Sequence, residues 1–146
     1  MEYFNEMEVV FDSRSENEAF ARVVVAAFAT QLNPTLEEVD DIKTVVSEAV
    51  TNAIVHGYEQ KENYKVFLQC EIVNQTIQIT IMDYGVGIED VEKAKEPMFT
   101  TKPHMNRSGM GFTFMEALMD ELEVYSKKGE GTTVKMKKTI TRMKVC

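Results

Sequence analysis

Thr76-Ile77-Gln78-Ile79-Thr80-Ile81-Met82-Asp83-Tyr84-Gly85-Val86-Gly87-Ile88 is the stretch on which the fold turns. Through Met82 apolar and polar residues alternate, the pattern of a half-buried strand. Ile77, Ile79 and Ile81 share one face, and period two carries Asp83 onto that same apolar face. A carboxylate there costs on the order of several kcal/mol unless donors reach it. Gly85 and Gly87 then allow a sharp turn or a close approach to a ligand. Two readings follow: a pocket floor with an acceptor at its base, or a strand that simply ends in an Asp-Tyr-Gly turn. The short glycine motif alone does not choose between them.

The 146 residues fit one domain spanning 1–146, long enough to bury a substantial core. A hydrophobic content of 44% with 27% charged residues is ordinary for a soluble globular chain. The net charge of -8 argues against nucleic acid as the main partner, because that requires clustered Lys and Arg. It leaves a nucleotide ligand open, since local donors bind phosphate on an acidic protein. Cys70 alternates with Val66, Leu68 and Ile72 and reads as a core thiol, and Cys146 ends the chain. With neither a signal peptide nor a long apolar run, a cytoplasmic protein that does not enter a membrane is expected.

From the N-terminus, Glu6 to Phe11 reads as a strand, and Ser15-Glu16-Asn17-Glu18 as a capping box opening a helix to about Leu32. Asn33-Pro34 breaks that helix, and Thr35-Leu36-Glu37-Glu38 repeats the signal to start a longer one through about His56, stopped by Gly57. Tyr64 to Val73 and Thr76 to Asp83 form a hairpin around Asn74-Gln75. Glu89 to Pro103 is charged and twice interrupted by proline, which predicts a loop. A helix follows to near Glu121, with Phe112, Met115 and Met119 on one side. Strands are expected at Leu122 to Lys128 and Thr132 to Ile140, and a frayed tail at 141–146.

On the long helix, Val39, Ile42, Val46, Ala49 and Ala53 make a core stripe. Glu48, Asn52 and His56 recur at four-residue steps beside it, lining a polar stripe in otherwise apolar turns. A solvated helix face would also explain any one of the three, and a capped helix end accounts for His56. Gly109-Met110-Gly111 opens the next helix, where bare amides and the helix dipole suit a phosphate. Thr132, beside Gly131, points its hydroxyl to the apolar side of its strand. Adenine nucleotide with magnesium accounts for all of these. Asp83 would accept from the adenine amine, Asn52 would offer an oxygen to Mg²⁺, and the glycine-rich helix start would hold phosphates.

In this order, Glu48-Ala-Val-Thr-Asn52, Asp83-x-Gly85-x-Gly87, Gly109-x-Gly111 and Gly129-x-Gly131-Thr132 resemble the boxes of the superfamily of gyrase B, Hsp90, histidine kinases and MutL. Tyr84 stands where relatives often carry Glu. Ser15 to Arg22, Thr44 to Ile54, Phe99 to Pro103 and Arg107 to Phe112 are further similar to the anti-sigma F factor family of endospore-forming bacteria. The resemblance implies an α+β fold, a two-layer α/β sandwich of the Bergerat ATP-binding type. Its mixed, mostly antiparallel sheet would be covered on one face by helices. It implies a homodimeric serine kinase that binds ATP or ADP with Mg²⁺, inhibits the sporulation sigma factor F and phosphorylates a serine of an anti-anti-sigma factor.

Residue by residue, Glu48 matches the family's catalytic carboxylate, suited to orient or deprotonate an attacking hydroxyl, and Asn52 its metal-binding residue. Asn52, Asp83, Gly85, Gly87, Thr101, Lys102, Arg107, Ser108, Gly109, Met110, Gly111 and Thr132 match its nucleotide contacts, with 97–111 as the ATP lid. Arg22 matches a partner-binding arginine, although an Arg snorkelling from a packed face reads equally well. Rival functions are a stress-response anti-sigma kinase, an ATPase or ATP-gated module of the same superfamily, a histidine kinase fragment, and a purely binding anti-sigma protein. Neither His56, inside the Asn52 helix, nor His104, in a proline-containing loop, suits a phosphoacceptor. The retained Glu48 argues against loss of catalysis.

Overall fold

Alternation and helical periodicity sort the chain into two layers. The structure, a computed structural model, describes residues 2–95 and 111–141. Its elements are β1 (Phe4–Asp12), α1 (Glu16–Ala29) with a 3₁₀ turn at Thr30–Leu32, α2 (Leu36–Asn52) with a π-helical turn at Ala53–Gly57, and β2 (Lys65–Val73). These are followed by β3 (Thr76–Asp83), α3 (Val91–Ala94), α4 (Gly111–Leu118), β4 (Glu121–Lys127) and β5 (Gly131–Thr139). The strands form one sheet in the order β1-β2-β3-β5-β4. All four neighbouring pairs are antiparallel, so the sheet is more regular than the mixed one expected.

One sheet face supplies one side of the core. Val66, Leu68, Cys70 and Ile72 of β2, Ile77, Ile79 and Ile81 of β3, and Val134 and Met136 of β5 are buried beneath the helices. Cys70 is a core thiol as expected, and burial pushes it up to about 12. From above, α2 contributes Ile42, Val45, Val46, Ala49 and Val50, while Val39 stays only partly buried. The α1 helix packs on α2 through Ala21, Val25 and Ala29, and α4 packs on it through Phe112 and Met115. Burying one Leu- or Ile-sized side chain stabilises by about 1.5–3 kcal/mol, so this layer contact holds the α2 polar stripe in place.

Two identical cap signals have different outcomes. Thr35 sits in extended backbone (φ -71, ψ 165), its hydroxyl accepts from the Glu38 amide, and the Glu38 carboxylate accepts from the Thr35 amide. Ser15 instead has helical backbone (φ -57, ψ -32) and makes no side-chain cap. A cap residue folds back over the first-turn amides from extended backbone, which Ser15 lacks. Glu18 turns to Arg22 instead, at 3.1 Å.

Other boundaries shift for local reasons. β1 begins at Phe4 because Phe4 pairs with Val73 at the far end of β2. Tyr64 lies outside β2 and stacks on Tyr58, ring centroids 5.0 Å apart. The loop expected from Glu89 contains the single turn α3, capped by Asp90 accepting from the Lys93 amide at 3.1 Å. α4 stops at Leu118, so Glu121 opens β4 rather than closing a helix.

Candidate functional site

At the end of β3 the isoleucine face delivers Asp83 beneath the helices, 5% exposed. Its Oδ1 accepts from the Gly85 amide at 2.9 Å, and the Thr132 amide also donates to the carboxylate. Burial outweighs these two donors and pushes the carboxyl up to about 6. Asp83 faces Thr132 across the β3–β5 ladder, and Thr132 in turn faces Ser126 of β4. These three side chains therefore form a row across three strands on the inner sheet face.

Glycines let backbone close around that row. The π turn brings the Gly57 carbonyl to the Val86 amide at 2.9 Å. A Cβ at Gly85 would stand 2.0 Å from the Gly57 oxygen, so no side chain fits. At Gly131, where φ is +97, a Cβ would stand 2.1 Å from the Asp83 carbonyl oxygen. Tyr58 locks the same corner: its hydroxyl accepts from the Tyr84 amide at 2.8 Å and donates to the Lys65 carbonyl at 2.6 Å.

Gly57 bears directly on the carboxylate. A Cβ there would meet Asp83 Oδ1 at 2.7 Å and Oδ2 at 2.9 Å. Gly57→Ala is therefore expected to push Asp83 aside. Losing one hydrogen bond to a charged acceptor costs about 1.5–3 kcal/mol of stability. Urea unfolding of the variant measures it, and unchanged stability contradicts it.

Glu48 and Asn52 stand one turn apart on α2, both half-buried, where α2 meets the start of α4. A Cβ on Gly111 would lie 3.1 Å from Asn52 Nδ2 and 3.3 Å from Glu48 Oε2. The structure thus joins Glu48, Asn52 and Gly111 at one corner, and Asp83, Gly85, Gly87 and Thr132 at another. Thr101, Lys102, Arg107, Ser108, Gly109 and Met110 lie outside the described residues. Arg22 is on α1, its side chain 40% exposed, with Nη1 donating to Glu18 at 3.1 Å and lying 3.5 Å from the Ser47 hydroxyl.

Sequence reasoning missed Tyr58, Ser126 and the role of Gly57. Tyr58 follows the helix stop at Gly57 and carries no motif of its own, and Ser126 lies in a strand that reads as simple alternation. The spacing of Gly57 from the Asn52 helix was the available signal, but it reads first as a helix stop.

The family model for the histidine kinase-like ATPase domain matches residues 11–138. An anti-sigma F factor of Anoxybacillus flavithermus is 57% identical over 140 residues, covering 96% of both chains. The chain belongs to the anti-sigma F factor family. A relative of the same name from Clostridium perfringens is 58% identical over 134 residues, covering 92% of this chain and 96% of that one. Among solved structures, the RsbU and RsbW domains of Rv1364c from Mycobacterium tuberculosis superpose with a TM-score of 0.66 at 16% identity. That match covers 94% of this chain and 32% of the other, and it establishes the shared α+β fold. Among the described residues no helix is long and apolar enough to cross a membrane.

Proposed function

We propose that this chain is an ATP-dependent protein serine kinase that also binds and inhibits sigma factor F. Its phosphoacceptor is a serine of an anti-anti-sigma factor, and the working unit is a cytoplasmic homodimer that contacts neither nucleic acid nor membrane. The observation that carries the reading is the pairing of Glu48 and Asn52 against the glycine start of α4, with the buried Asp83 acceptor at the adjoining corner.

In this reading Asp83 accepts from the adenine amine, and Thr132 lies beside it. Gly85 and Gly87 let the backbone pass close to the base. Gly111, with Gly109 and the lid residues Thr101, Lys102, Arg107, Ser108 and Met110, holds the phosphates. Glu48 orients the acceptor serine and takes its proton as Oγ attacks the γ-phosphorus and the bond to ADP breaks. Asn52 offers Mg²⁺ an amide oxygen, a hard ligand that suits it. Mg²⁺ of this kind keeps several waters and takes further ligands from substrate phosphates. When bound, Mg²⁺ supplies neutralisation of phosphate charge.

Arg22 projects from α1 with neighbours Phe20 and Val23 half exposed, a surface suited to a partner. Arg22→Ala is expected to leave ATP affinity unchanged and to weaken sigma capture at least about tenfold, as loss of a central interface arginine does. Co-elution of the variant with purified sigma factor F in the presence of ATP measures this. Capture equal to wild type removes Arg22 from the interface, and absence of any complex with the wild-type chain contradicts the anti-sigma reading.

A further inference from the structure

The row Asp83–Thr132–Ser126 ends in a hydroxyl that the proposed chemistry leaves unused. Ser126 Oγ has three neighbours: the Ile88 amide at 2.7 Å, the Gly131 carbonyl at 3.0 Å and the Thr132 hydroxyl at 2.8 Å. A hydroxyl has one proton and two lone pairs. The Ile88 amide can only donate and the Gly131 carbonyl can only accept. With its proton on the Gly131 carbonyl, Ser126 has its second lone pair open to the Thr132 proton; the Ser126–Thr132 contact taken alone allows either donor. The Thr132 hydroxyl, its proton turned toward β4, presents lone pairs on the side of Asp83. Asp83 itself accepts from the Gly85 and Thr132 amides and, as a carboxylate, presents only acceptors.

We infer that Ser126 is a positioning residue that fixes the direction of the Thr132 hydroxyl and makes this end of the pocket acceptor-only, so that it selects a 6-aminopurine over a 6-oxopurine. The inference rests on the nucleotide reading and deepens it. With C6 facing this corner, adenine brings its 6-amine, a donor, to two acceptors, whereas guanine, whose amine is on C2, brings its O6 against them. Such opposed acceptors discriminate strongly, because groups buried without partners are costly. Ser126 also ties the Gly87-Ile88 turn to β5, so it secures the pocket wall as well as the proton direction.

Ser126→Ala removes the acceptor for the Thr132 proton, and the hydroxyl can then rotate and donate to the ligand. Ser126→Thr keeps the hydroxyl and serves as the conservative rescue. Dissociation constants for ATP and for GTP, each with Mg²⁺, are measured by calorimetry for wild type and both variants, with circular dichroism to verify folding. The expected result is that the ATP-over-GTP preference of the wild type falls at least about tenfold in Ser126→Ala and returns in Ser126→Thr. A purely structural role for Ser126 would weaken both nucleotides equally and leave the ratio unchanged, which overturns the inference. Equal binding of ATP and GTP by the wild type also overturns it while leaving nucleotide binding intact. Binding of neither nucleotide by the wild type overturns the nucleotide reading itself. If Ser126→Ala does not fold, an unchanged preference in Ser126→Cys, whose thiol is a much weaker acceptor, is the overturning result and a reduced preference the supporting one.

Discussion

Glu48→Ala is expected to bind ATP about as well as the wild type and to transfer phosphate about 10²- to 10⁴-fold more slowly, the range for loss of one positioned general base. The motive is location. Glu48 is half-buried beside Asn52, and Gly111 approaches both, so the carboxylate lies where α2 meets the proposed phosphate end of the site. Asp83, by contrast, takes its hydrogen bonds from Gly85 and Thr132. Single-turnover transfer and equilibrium ATP binding, measured side by side, separate the two effects. Transfer at the wild-type rate would remove Glu48 from the chemistry, and lost ATP binding would make it a binding residue instead.

Asp83→Asn is expected to abolish measurable adenine nucleotide binding and to change how stability depends on pH. The fold raises this carboxyl from 3.8 to about 6, chiefly by burial. A group whose folded value lies above its unfolded value stabilises the fold below the unfolded value. That contribution is lost as pH rises through the folded value. Relative to the Asn variant, wild-type stability without nucleotide should therefore fall between pH 4 and pH 7, by about 3 kcal/mol. ATP, by donating to the ionised form, should recover part of this and should bind more weakly below about pH 6. Urea unfolding of both proteins across that pH range measures the difference. A constant difference would mean that Asp83 is solvated, and ATP affinity within a few-fold of wild type in Asp83→Asn would take the base out of this corner.

The legible parts of the fold were those written in local periodicity. The β3 isoleucines placed Asp83 correctly because side-chain direction in a strand follows from position alone, and the Thr35 cap formed where the chain enters α2 in extended backbone. The Ser15 cap failed because its backbone angles are set by the tight exit from β1, where Arg14 and Asn17 already bond back to the preceding turn. No local signal marks the π turn at Ala53–Gly57. It is required by a partner distant in sequence, the Val86 amide, which the Gly57 carbonyl meets. Ser126 was invisible for the same reason, since its three bonds join β4 to β5 and to the turn after β3. Residues chosen by local pattern could be read from the chain, and those chosen by contact between distant turns could not.

The central claim is phosphoryl transfer to a protein serine, and the direct measurement is incubation of the purified chain with ATP labelled at the γ-phosphate, Mg²⁺ and the anti-anti-sigma factor. Sigma factor F and buffer alone serve as controls. Label on a serine of the anti-anti-sigma factor, absent from both controls and abolished in Glu48→Ala, is the predicted result. Free labelled phosphate with no labelled protein would contradict the kinase and leave an ATPase of the same fold.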